Sequence, residues 1–110
     1  MTEAFAQRYR AEMDIRGYSQ RSLGEMVGLN HSAISGMLRG KRSATADVAQ
    51  KLAMIVPDSR RAEIILLAHG HSVADVEQML GHHVATPGEI RSARIVRGAP
   101  VYDIPRERRA

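Results

Sequence analysis

The chain has no cysteine, which excludes disulfides and thiolate metal sites. Aromatic residues make up only 4% of its 110 positions. Any core must therefore rest on aliphatic side chains, Met and Ala. No apolar run approaches the roughly 20 residues of a membrane-spanning helix. The N-terminus also lacks the apolar stretch of a signal peptide. A cytoplasmic protein (host cell or nucleoid) with no membrane partner is expected. No Ser/His/Asp triad spacing, phosphate loop or paired carboxylates stand out, so neither an enzyme nor a cofactor is expected. Lysine is scarce too: two lysines stand against fourteen arginines.

The length suits one compact domain, or a small domain with an appended module. A formal net charge of +4 and an isoelectric point near 10.1 favour a polyanionic partner. Guanidinium forks suit phosphates and guanine edges. A GC-rich genome would give the same excess of Arg and Ala, so composition alone leaves both readings open.

The segment Gln20 to Arg39, QRSLGEMVGLNHSAISGMLR, carries the most information. It reads as two short helices joined by a tight turn at Gly28, where only glycine takes a positive φ without strain. Leu23, Val27, Leu29, Ile34 and Met37 fall where a helix-turn-helix needs apolar side chains. Gly24 is the small residue that lets the helices approach. Ser19 caps the first helix, with Tyr18 and Leu23 at the spacing of a hydrophobic staple. Asn30 caps the second, with Leu29 and Ile34 at the same spacing. Such a unit mostly places its second helix in the DNA major groove.

Elsewhere the pattern is helical. A first helix is expected from Thr2 to Ile15, with Phe5, Tyr9 and Met13 facing the core, ended by Gly17. Another spans Ala46 to Val56, capped by Ser43 or Thr45, with Val48, Leu52 and Ile55 buried; Pro57 marks its boundary. A helix capped by Asp58 or Ser59 runs towards Gly70. Its Ile64, Ile65, Leu66 and Leu67 are apolar nearly all round, which implies burial on several sides. Ser72 caps a helix that carries Val73, Val76, Met79 and Leu80 and ends at Gly81. Thr86-Pro87-Gly88-Glu89 is a capping box with proline at the first helical position, and that helix is expected to reach Arg97. The division is residues 1–56 as a DNA-binding domain, 57–98 as a second helical module, and 99–110 as a basic tail. The fold class is all-α.

Within the helix-turn-helix, Asn30, His31 and Ser32 begin the recognition helix, whose first turn reaches base edges. Ser35 lies one turn on. Gly36 costs about 1 kcal/mol against Ala in a helix interior; close approach of the backbone to a base explains it, and so does tight packing on another helix. Gln20 suits a phosphate. Arg39, Lys41 and Arg42 cluster past the recognition helix as phosphate ligands or as a solvated loop.

On these residues, and most closely on GLNHSAISGMLRGK at 28–41, residues 3–56 resemble the lambda-repressor-like DNA-binding domains of phage repressors, Cro proteins and bacterial regulators. The resemblance implies that Gln20 contacts a phosphate and braces His31, that His31, Ser32 and the Ser35–Gly36 face touch bases, and that the chain meets the backbone near Arg39. Glu12 departs from the family, which usually has an apolar residue there. Gly36 departs too, since many members carry a longer side chain.

Residues 72–97 read as a second, poorer helix-turn-helix. Arg91, Arg94 and Arg97 recur every three residues and would share a face on its last helix. They are candidates for a second DNA contact, or a solvated face on a dimerisation module. An N-terminal helix-turn-helix followed by a second DNA-contacting module resembles immunity repressors of some actinobacterial phages. His69, His71, His82 and His83 sit at helix ends, where histidines cap carbonyls or favour the dipole, so no metal site is expected. The function expected is a sequence-specific regulator of double-stranded DNA, most simply a repressor, with monomer and homodimer both left open. An antitoxin whose second half binds a toxin, or an adaptor using the fold without DNA, are the alternatives.

Overall fold

In the computed structural model the described residues are 3–39 and 44–92, with the backbone of 94–96 and 99–101. Seven helices are described: α1 (Glu3–Arg16), α2 (Gln20–Val27), α3 (His31–Leu38), α4 (Ala46–Ala53), α5 (Asp58–Ala68), α6 (Val73–Leu80) and α7 (Pro87–Arg91). A short antiparallel ribbon of β1 (Arg94–Val96) and β2 (Ala99–Val101) follows, with Ile95 opposite Pro100. The fold is all-α apart from that ribbon.

Local signals place most boundaries. The Ser19 side chain accepts from the Ser22 N–H at 3.0 Å, and the Ser22 hydroxyl oxygen accepts from the Ser19 N–H at 2.9 Å. This closes a capping box with serine in the place usually held by Glu or Gln. Asn30, Thr45, Ser72 and Thr86 cap α3, α4, α6 and α7 in turn. Two boundaries differ from expectation. α4 stops at Ala53, and the Met54 and Val56 N–H groups bond three residues back in a tighter turn before Pro57. At the start of α5 neither Asp58 nor Ser59 is the cap. Pro57 holds that position without a side-chain cap bond; its φ of −59° is set by its ring.

The larger correction concerns the last helix. It ends at Arg91 and does not reach Arg97. The Ser92 hydroxyl donates to the Gly88 carbonyl at 3.0 Å, a local bond that competes with helix continuation. Beyond it Ile95, Val96 and Val101 are β-branched and Pro100 has no N–H to donate, which favours a short ribbon over a helix. Arg91, Arg94 and Arg97 therefore do not share a helix face: Arg91 closes α7, Arg94 lies in β1, and Arg97 lies outside the described residues.

One buried cluster runs from Phe5 on α1 to Val84 before α7, and includes Leu23, Ile34, Leu52 and Ile64. Phe5 and Tyr9 stack with ring centroids 5.2 Å apart. The Tyr9 hydroxyl donates to the Leu52 carbonyl at 2.7 Å; burial, then the nearby Glu12 charge, pushes its pKa far above the ordinary value. Of the all-round apolar stretch on α5, Ile64 and Leu67 are fully buried and Ile65 and Leu66 partly so. On α6 only Val76 is fully buried, while Val73 and Met79 are exposed.

Charge also enters the interior. Arg8, Glu12, Arg60 and Glu63 are all at most 3% exposed. Arg8 donates from Nε to Glu12 at 2.9 Å, and from Nη1 to Glu63 at 2.8 Å and the Ala85 carbonyl at 3.1 Å. Arg16 meets Glu12 at 2.5 Å, Arg60 meets Glu63 at 2.7 Å, and His82 lies 3.1 Å from Glu63. Burial raises the Glu63 pKa, but the Arg8 charge and the hydrogen bonds from Arg8 and Arg60 outweigh it and hold the carboxyl below its ordinary value. Glu12, which the family resemblance would make apolar, is thus accommodated as an ion between two arginines. A second small cluster, Ala11, Ala85 and Ile90 with Ile15 beside it, seats α7 on α1.

Candidate nucleic-acid interface

The turn between α2 and α3 is built on two glycines. Gly28 takes φ +75° and its N–H donates to the Gly24 carbonyl. A Cβ on Gly24 would stand 2.6 Å from the Leu29 carbonyl oxygen, so Gly24 is required by the turn backbone itself. Leu23, Val27, Ile34 and Met37 are buried, and Leu29 packs half-buried beside them. This apolar side fixes which face of α3 is left to solvent.

That free face carries His31, Ser32 and Arg39, all exposed, with Ser35 half-buried between them. Residues 31, 35 and 39 are four apart and lie in one row along the helix. Asn30 is exposed, and its side-chain oxygen accepts from the Ala33 N–H at 2.8 Å, which leaves its amide nitrogen and the second oxygen lone pair to face a base. Gly36 is buried. On the expected Ser35–Gly36 face, Ser35 is the half-buried side chain beside a buried glycine backbone. Arg39 is tied back loosely, its Nε donating to the Ser35 carbonyl at 3.4 Å. Lys41 and Arg42 lie outside the described residues.

Gln20 is half-buried at the first position of α2. It lines an open cleft of about 330 Å³ with Arg10, Met13, Asp14, Tyr18, Leu38 and Arg91. Arg10 donates from Nη2 to the Leu38 carbonyl at 3.1 Å, at the end of α3. Arg91 donates to Asp14 at 3.2 and 3.0 Å. Sequence reasoning missed Arg10 and Asp14. Their spacing of four puts them together on α1, but nothing in the local pattern reveals that α7 returns to meet them.

Two of the histidines, His82 and His83, meet carboxylates. His83 sits 2.7 Å from Glu89 and 3.1 Å from Glu77. Burial raises the Glu89 pKa, but the Thr86 N–H and His83 prevail and hold it below its ordinary value. Among the described residues no group of three or more histidines and carboxylates is arranged to hold a metal. Among them, too, no helix is long and apolar enough to cross a membrane.

Residues 10–55 match the family model described as Helix-turn-helix. No curated protein and no solved structure matches the chain. The match supports a helix-turn-helix of the Cro/C1 type for that segment, a DNA-binding regulator class.

Proposed function

We propose that the chain is a sequence-specific double-stranded DNA-binding transcriptional regulator, acting as a repressor by occluding its site. One observation carries this reading. The apolar side of α3 is buried in the turn unit, so its opposite row, His31, Ser32, Ser35 and Arg39, is presented to solvent with polar and basic groups only. His31 and Ser32, in the first turn, reach base edges; Ser35 lies beside them; Gln20 and Arg39 hold phosphates on either side. Electrostatic attraction supplies much of the affinity, and the first turn of α3 supplies the choice of sequence.

The test is a pair of binding measurements on the selected operator and on random duplex. His31→Ala with Ser32→Ala should cost about 1–3 kcal/mol on the operator and leave random-duplex binding nearly intact. Equal weakening on both duplexes would remove base reading from these residues. An adaptor that uses the fold without DNA would show no steep salt dependence with any duplex.

A further inference from the structure

The cleft beside Gln20 has a second use. Two cationic side chains line it, Arg10 on the Leu38 carbonyl and Arg91 at the end of α7, and Arg39 follows Leu38 at the exposed end of α3. Arg10 meets a neutral carbonyl, so that bond does not offset its charge. Arg91 meets Asp14 with two of its nitrogens on one carboxylate oxygen, in a pair whose side chains are 48% and 61% exposed. An ion pair so exposed contributes little to stability. Guanidinium groups suit phosphate as well as they suit carboxylate. The pair of Arg8 and Glu63 is the opposite case, with both side chains buried away from solvent.

We infer that Arg91 is a DNA-backbone ligand, which Asp14 holds in the place of a phosphate until duplex enters the cleft. The inference rests on the proposed reading of the helix-turn-helix as a duplex-binding unit. It extends that unit with a residue some fifty positions away, on a helix docked against α1. Asp14 then acts as an internal competitor: it keeps Arg91 aimed at the cleft and weakens binding by its own negative charge.

The experiment measures affinity of the full chain for a random-sequence duplex across a salt series, by fluorescence anisotropy. Arg91→Gln should weaken binding and lower the log–log salt slope by about one unit. Arg91→Lys should restore the slope, because it keeps the charge. Asp14→Asn should tighten binding, and do so less in the Arg91→Gln background. The opposite signs matter, because a pair that only staples α7 to α1 would respond alike to loss of either partner. An unchanged slope in Arg91→Gln, or equal weakening by Asp14→Asn, overturns the inference while wild-type binding stands. A wild type with no salt-dependent binding overturns the underlying reading, and this inference with it.

Discussion

The helix-turn-helix and the junction between α1 and the second half are held by different forces. In α2 and α3 the contacts that shape the unit are short in sequence: caps three residues apart, an apolar row at spacings of three and four, and two glycines that form the turn. At the junction an apolar seat and local ion pairs are joined by long-range ionic contacts. Arg8 reaches Glu63, 55 residues on, and the Ala85 carbonyl, 77 residues on. The first region is a unit that neighbouring residues specify. The second depends on distant charges arriving together, since a buried ion is tolerated only when paired and hydrogen-bonded. The consequence is that the two halves share one interior even though only the first resembles a known module.

The sharpest way to break this contrast is Glu63→Ala. It leaves Arg8 and Arg60 buried without their shared carboxylate, and should cost about 3–5 kcal/mol in urea unfolding. A loss below 1 kcal/mol would show that the junction relaxes and that the ions are incidental. The same residue predicts an acid limb. Its folded pKa lies below the ordinary 4.5, so its contribution is complete above that pH. The contribution is lost as pH falls through the lower folded value. Stability of Glu63→Ala should fall less over that window than stability of the wild type.

A smaller effect is expected inside the helix-turn-helix. Gly24→Ala drives a methyl against the Leu29 carbonyl and should cost about 1–3 kcal/mol, as overpacking does. Amide exchange should then accelerate in α2 and α3 before it does in α5. Uniform acceleration would mean that the two regions unfold as one and that the contrast lies in their construction only.

The smallest effects should be alike in both halves. Asn30→Ala and Thr86→Ala each remove one cap bond and should each cost about 1 kcal/mol. A much larger loss for Thr86→Ala would place the Thr86–Glu89–His83 arrangement within the ionic junction rather than at a simple helix end.

Caps were legible because they are one-turn patterns. Ser19, Asn30, Ser72 and Thr86 all do what their spacing implies, and Thr45 is the one chosen of the two candidates before α4. The arginine periodicity at 91, 94 and 97 misled for the same reason that caps succeed. Spacing states which residues would share a face if a helix continued, but Ser92 and the β-branched residues after it end the helix first. Glu12 stood out as foreign to an apolar position, yet its partners Arg8 and Arg16 lay within one turn of it. The link from Arg8 to Glu63 had no local sign at all.

By itself the sequence determined the all-α class, the helix-turn-helix, and the row of α3 that remains polar. These follow from periodicity, caps and glycines, which act over a few residues. Only the tertiary structure decided that Gly36 is buried, that α7 docks on α1, and that Arg91 lies in the cleft with Gln20 and Arg10. Those outcomes depend on which distant surfaces pack and which charges find partners there. No window of neighbouring residues contains that information.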